Sequence, residues 1–249
     1  MPNVQNIVVR ASDTDIAVIL IHHAAGFKSK LWMELGTSSN NSRRYISITN
    51  VAHTLGQLMC AALPAFHALT GTDYTPAMHR RGKVRPLKAL EKNKKAQKSL
   101  AALAHGATVS GQDKKTLEQF VASLYGARRD DCSLNDHRFQ MVLKAYGPKA
   151  GSKNPLEKLK GVDGCNIPPA EAELAAQLRR VAFVGRMWHA VDKNMIEQEP
   201  EEIDGWIRNG DVYEFIMFDG PQVPNDLLEG RDDVSDEQDE YDEIGHNRR

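Results

Sequence analysis

An α/β fold, a short and mostly parallel sheet with helices followed by a mostly helical C-terminal region, is predicted by three features of the sequence. The β-branched run Ile7-Val8-Val9 ends on the acidic stretch Ser12-Asp13-Thr14-Asp15. Two more strand-like runs follow, Leu31 to Leu35 and Tyr45 to Ile48. From Asn50 onward, helical periodicity punctuated by glycine and proline continues to about Val191.

Ile7-Val8-Val9 reads as a buried strand, because β-branched side chains suit a pleated surface, and its C-terminal end delivers the carboxylates. Ile16 to Ile21 is unbroken apolar, which periodicity alone leaves open between helix and strand. A helix is favoured, since Thr14 or Asp15 can cap it and His22-His23-Ala24-Ala25 extends it before Gly26. Leu31-Trp32-Met33-Glu34-Leu35 and Tyr45-Ile46-Ser47-Ile48 form a hairpin around a polar loop holding Gly36, Asn40 and Asn41. Thr49 or Asn50 then caps a helix through Leu55, closed by Gly56. Leu58 to Thr70 is mostly helical, with Pro64 restarting it at a first-turn position and Gly71 ending it. Four helical segments follow: Arg85 to Lys92, Lys95 to Ala104, Lys114 to Tyr125 and Leu134 to Tyr146. Ser110 to Asp113 and Ser133 to Asp136 fit capping boxes, and Gly106, Gly126 and Gly147 sit where helix ends favour positive φ. Pro148 to Pro169 is a linker or long loop. Pro168-Pro169 opens a long helix whose Leu174, Leu178, Val181, Trp188 and Val191 make one apolar face, a possible surface for a protein partner over 168–191. A less regular stretch with Trp206, Tyr213, Phe215 and Phe218 covers the body, and beyond Glu229 an acidic tail is expected to be disordered. The expected divisions are 1–105, 106–228 and 229–249.

With 249 residues, 41% hydrophobic and 26% charged, the chain is long enough for a sizeable core. Lys plus Arg total 32 against 33 Asp plus Glu, so overall charge selects no partner. Cys60, Cys132 and Cys165 are far apart and form no CxxC pair, which points to a reducing compartment. The start lacks a signal-peptide pattern, and the apolar stretch Ile16 to Ala25 falls short of the ~20 residues that span a bilayer. An intracellular protein of nucleus or cytoplasm, without a membrane partner, is the expectation.

Asp13 and Asp15 follow a predicted strand, and the C-terminal edge of parallel strands is where α/β sheets collect ligand sites. A hard cation such as Mg²⁺ or Mn²⁺ would remove the repulsion between two such carboxylates. The plainer reading is that one caps a helix and the other is solvated. Asp73 in Gly71-Thr72-Asp73-Tyr74 is the third candidate, with an ordinary Asx turn as its plainer reading. Arg80, Arg81, Lys83, Arg85, Lys88, Lys92, Lys94, Lys95 and Lys98 are opposed only by Glu91, a footprint suited to phosphates. The histidines, among them His22, His23, His53, His67, His79 and His105, follow no HExxH or Cys/His spacing and receive no role. Ser12 lacks the GxSxG elbow of a nucleophile.

In order, Ser12-Asp13-Thr14-Asp15, Gly71-Thr72-Asp73-Tyr74 and Gly82-Lys83-Val84-Arg85 resemble the C-terminal half of a flap-endonuclease-like PIN domain. More narrowly, Asp13-Thr14-Asp15-Ile16, Leu31-Trp32, Arg44-Tyr45-Ile46 and Phe66-His67-Ala68-Leu69-Thr70-Gly71 look like a PIN-like group of animal genomes and mobile-element-derived proteins. Pro168-Pro169, the Arg179-Arg180 helix with Trp188, and Gly205-Trp206 look like that group's C-terminal helical region. The resemblance covers roughly Asn6 to Leu228.

The resemblance implies that Asp13, Asp15 and Asp73 are catalytic metal ligands for Mg²⁺ or Mn²⁺. It also implies that Arg80, Arg81, Gly82, Lys83, Arg85 and Lys88 form a helix-hairpin-helix-type contact with nucleic acid, DNA more than RNA. The implied activity is phosphodiester hydrolysis with two ions ~4 Å apart. This sequence departs from the pattern in having no acidic residue before Asp13, so the upstream carboxylates of the family and a neighbouring strand are missing. An incomplete or degenerate nuclease is therefore expected, with a sheet edge or apolar face left uncovered. The alternative is a non-catalytic nucleic-acid-binding or protein-interaction module. Relatives often end in a cysteine-rich stretch, whereas this chain ends in an acidic tail that could fold back on the basic stretch.

Overall fold

A computed structural model describes residues 4–36, 42–107, 109–128, 133–146, 164–193 and 199–217. Cys132, Gly147, most of the linker from Pro148, Phe218 and the acidic tail lie outside the described residues. The order is β1 (Asn6–Arg10), α1 (Thr14–His23), β2 (Lys30–Leu35), β3 (Arg44–Ser47), α2 (Ile48–Leu55) and α3 (Gln57–Leu69). Then come α4 (Val84–Lys92), α5 (Lys94–Ala104), α6 (Gly111–Leu124), α7 (Leu134–Tyr146), α8 (Glu171–His189), β4 (Trp206–Asn209) and β5 (Val212–Phe215). The α/β class holds, with helix predominating.

The first sheet has the order β1-β2-β3 and is mixed rather than mostly parallel. β1 runs parallel to β2 because α1 supplies the crossover, while the β2–β3 hairpin forces an antiparallel pair. Ile7, Val9, Leu31, Met33 and Ile46 share the face that meets α1 and α2, where Leu31 and Met33 are buried with Ala24 and Ile48. The opposite face carries Val8 and Tyr45, each 51% exposed, and β1 is an edge strand. That face also carries Asn6, Arg10, Lys30 and Glu34, so it is mixed rather than the uncovered apolar face expected. The stretch from Trp206 is more regular than its sequence suggests: β4 and β5 form an antiparallel hairpin whose Trp206 packs on Phe183.

Helix punctuation follows the sequence closely, with instructive exceptions. Ser110 and Ser133 accept from the backbone N–H groups of Asp113 and Asp136. Gly106 and Gly126 adopt φ of +90° and +96°. The cap of α1 is Asp13 rather than Thr14 or Asp15, and the cap of α2 is Ser47 rather than Thr49 or Asn50. Pro64 does not restart a helix but lies inside a continuous α3. The missing N–H of a proline frees the carbonyl four residues before it, here that of Cys60.

α3 is enclosed by its neighbours: Met59, Ala62, Ala65, Phe66, Ala68 and Leu69 are all buried. α5 and α8 pack on α3 and on each other. They meet at Gly185, where an added Cβ would lie 2.7 Å from the Cα of Ala104. α6 joins the same core through Leu117, Phe120 and Val121, so α6 and α8 share one core with the helices before residue 105. The α8 face of Leu174, Leu178, Val181 and Trp188 is buried in that core and is not open to a partner. Val191 lies past the helix end and is exposed. No helix among the described residues is long and apolar enough to cross a membrane.

Gly185→Ala drives a methyl into the backbone of α5 and is expected to cost about 1–3 kcal/mol by overpacking. Urea unfolding measures it, and a loss below the error of the measurement would show that α5 and α8 can separate freely.

Candidate functional site

Asp13 and Asp15 stand where β1 gives way to α1, and local chemistry already occupies both. Asp13 Oδ1 accepts from the Asp15 N–H at 2.9 Å, the bond of an N-cap. Asp15 Oδ1 lies 2.8 Å from Nε2 of His67, a side chain on the enclosed helix α3. Burial lowers the His67 pKa, and the Lys83 ammonium lowers it further against the opposing pull of Asp15 and Asp13. The imidazole is therefore neutral near pH 7 and donates its Nε2–H to the carboxylate.

Lys83 completes the cluster. Its Nζ donates to the carbonyls of His67, at 3.1 Å, and Gly71. Burial pushes its pKa down while Asp15 pulls it up. Asp13, Asp15, His67 and Lys83 are thus one electrostatic group, in which cationic and hydrogen-bonding protein atoms already offset part of the negative charge.

Asp73 is not drawn into this group. It is exposed in a turn where Thr72 and Thr75 exchange backbone hydrogen bonds of 3.0 and 3.3 Å, and where Thr75 Oγ1 donates to Ala68 O. Gly71, at φ +111°, permits this turn, since an added Cβ would lie 2.6 Å from Ala77 Cα. Among the described residues, Asp13, Asp15 and Asp73 do not converge as a set of three ligands. Asp13 and Asp15 offer oxygen donors suited to one hard cation, but this donor set does not fit a pair of ions.

The basic segment divides into two parts. Arg81 stacks 4.1 Å over the Tyr125 ring and donates to Asn166 O at 3.3 Å, so both Arg81 and Lys83 hold structure together. Arg80, Gly82, Arg85 and Lys88 are exposed. Arg85, Lys88 and Lys92 recur on one face of α4, and exposed Lys95 and Lys98 continue the charge into α5. Among the described residues none of these six cations pairs with a carboxylate. At Gly82 an added Cβ would meet no atom within 4 Å, so the turn is open to a ligand backbone.

A second cluster is one that no motif announces. His22 in the last turn of α1, His105 just after α5 and His189 at the end of α8 bring one ligand atom each within 4.8 Å of one another. His22 Nδ1 donates to Cys60 O at 3.1 Å, the carbonyl left without a helical partner by Pro64. His22 Nε2 lies 2.9 Å from His189 Nδ1. His23 Nε2 donates to Trp188 O at 2.9 Å. Burial first, then His23, His189 and His105, lower the His22 pKa to about 4 against the raising pull of the Cys60 carbonyl; burial, then His105, Lys193 and His23, lower that of His189. No spacing rule could have found this group, because its members come from three helices.

Two outcomes follow from these contacts. Lys83→Met removes the ammonium shared by the His67 and Gly71 carbonyls, leaving His67 O only the Thr70 hydroxyl at 3.1 Å, and is expected to destabilise the protein by about 1–3 kcal/mol, read from urea unfolding. Because the depressed His22 pKa belongs to the folded state, the unfolded chain binds the extra proton first between its ordinary value of 6.5 and about 4. The stability present above pH 6.5 is therefore lost as pH falls toward 4. His22→Gln should flatten the melting temperature across this window in EDTA buffer, and an unchanged slope would reject the assignment.

Comparison with protein-family models, curated proteins and solved structures gives no match for this chain.

Proposed function

We propose that this chain is a nuclease-like protein of the flap-endonuclease PIN type that holds nucleic acid, DNA in preference to RNA, on the α4–α5 basic face beside an aspartate pair. The observation that chiefly supports this reading is the position of Lys83. It stands at the N-terminal end of α4, within the basic segment, and its ammonium is within electrostatic reach of Asp15. A phosphate backbone following Arg80, Arg85, Lys88 and Lys92 is thereby led toward Asp13 and Asp15. Such a surface binds through counterion release and carries little sequence information.

Asp13 and Asp15 would hold a single Mg²⁺ or Mn²⁺ ion, which when bound supplies Lewis acidity toward a phosphoryl oxygen. A second reading, binding without hydrolysis, is favoured by the Asp15–His67 bond and by the separate position of Asp73.

Charge reversal at Arg85, Lys88 and Lys92 together is expected to weaken DNA binding by at least about 100-fold at low salt and to reduce the salt slope by about 2–3. Unchanged affinity, measured by fluorescence anisotropy, would remove the nucleic-acid reading. Cleavage of flap and single-stranded DNA with Mg²⁺ or Mn²⁺ separates the two readings. Turnover by the wild type that is abolished in Asp13→Asn and Asp15→Asn supports the nuclease, and equal background rates for all three leave the binding module.

A further inference from the structure

We propose that His22, His105 and His189 form a binding site for a divalent transition-metal ion of the zinc class, separate from the aspartate pair, with solvent as the fourth ligand. Three imidazole nitrogens and no carboxylate make a donor set that suits Zn²⁺, Co²⁺, Ni²⁺ or Cu²⁺ and does not suit Mg²⁺.

The geometry is close to what a bound ion requires. Metal–nitrogen bonds of about 2.0–2.1 Å in a tetrahedron separate two ligand nitrogens by roughly 3.3 Å. His22 Nε2 and His189 Nδ1 are 2.9 Å apart, so a small outward movement admits the ion. The His105 ring lies 4.3 Å from that of His189 and closes the third corner from the solvent side. Its exposure leaves the fourth position open to water.

Two further observations point to a cation. The ligands come from the C-terminal ends of α1, α5 and α8, and each helix end presents the negative pole of its dipole to the same spot. Moreover, His22 is oriented as metal-bound histidines are, with its remote nitrogen donating to a backbone carbonyl. Pro64 makes that carbonyl available, and the resulting tautomer leaves the Nε2 lone pair facing His189. In the metal-free protein His189 Nδ1–H donates to that lone pair. On binding, the His189 proton moves to Nε2, Nδ1 turns to the ion, and no net proton is released. Cys60 takes no part as a ligand, because its thiol donates to Ala52 O.

The test is titration of the EDTA-stripped full chain with Co²⁺ and with Zn²⁺, followed by visible absorption and calorimetry. One ion per chain is expected, with the intense d–d bands of four-coordinate Co²⁺, displaced by Zn²⁺. His105→Gln is the decisive variant, because that side chain is exposed and the core does not depend on it. Its Zn²⁺ affinity should fall at least about 100-fold, as should that of His22→Gln and His189→Gln, while exposed His53→Gln and Asp13→Asn bind as the wild type does. Equal binding by wild type and His105→Gln, or binding lost in Asp13→Asn instead, would overturn the site. Failure here leaves the nucleic-acid reading untouched, since that rests on other residues.

Discussion

Enclosure of α3 constrains everything around it. A helix packed against α1, α2, α5 and α8 has little room for bulk and little water for polar groups. The sequence answers the first demand with Ala62, Ala65 and Ala68, each fully buried. His67 raises the second demand, because a buried imidazole left without a partner loses the full strength of its hydration. Asp15 meets one side of it, and Lys83 binds the carbonyl of the same residue. The carboxylate suggestive of metal chemistry is thereby also the partner of a core residue. Replacing Asp15 would disturb packing as well as any cation.

Pro64 shows a similar double effect in the same helix. By withholding one N–H it exposes one acceptor inside the core, and His22 reaches across from α1 to use it. A residue often regarded as a helix breaker here orients a side chain on another helix. Part of its structural cost is offset, because the freed carbonyl finds a donor.

The local features were legible because they depend on neighbours in sequence. Ser110, Ser133, Gly56, Gly106 and Gly126 mark helix ends through bonds or φ values set within a few residues. The strand before Asp13 was readable from its β-branched run, although it is a half-exposed edge rather than the buried strand expected, with Val8 51% exposed; the pairing of the two later strands was readable from loop composition. Where the reading departs from the structure, a distant contact decides. Pro64 is held inside α3 by the surrounding helices, and the α8 stripe is covered by segments far earlier in the chain. The same holds for the candidate sites. Asp13 and Asp15 are adjacent by sequence, but whether Asp73 joins them depends on tertiary placement. His22 and His189 meet across 167 positions, and no short motif encodes such a meeting.

One side chain of α8 has a kinetic implication. Gln177 Nε2 donates to Leu69 O at 2.9 Å and to Pro76 O at 3.1 Å, fastening both ends of the segment that carries Asp73. These bonds close loops of 108 and 101 residues. Contacts of such high sequence separation form late, after local helices have already appeared. A nascent chain emerging from the ribosome therefore holds the Asp73 turn only by its local bonds, those of Thr75 to Ala68 and of Lys83 to Gly71, until α8 has been synthesised and docked.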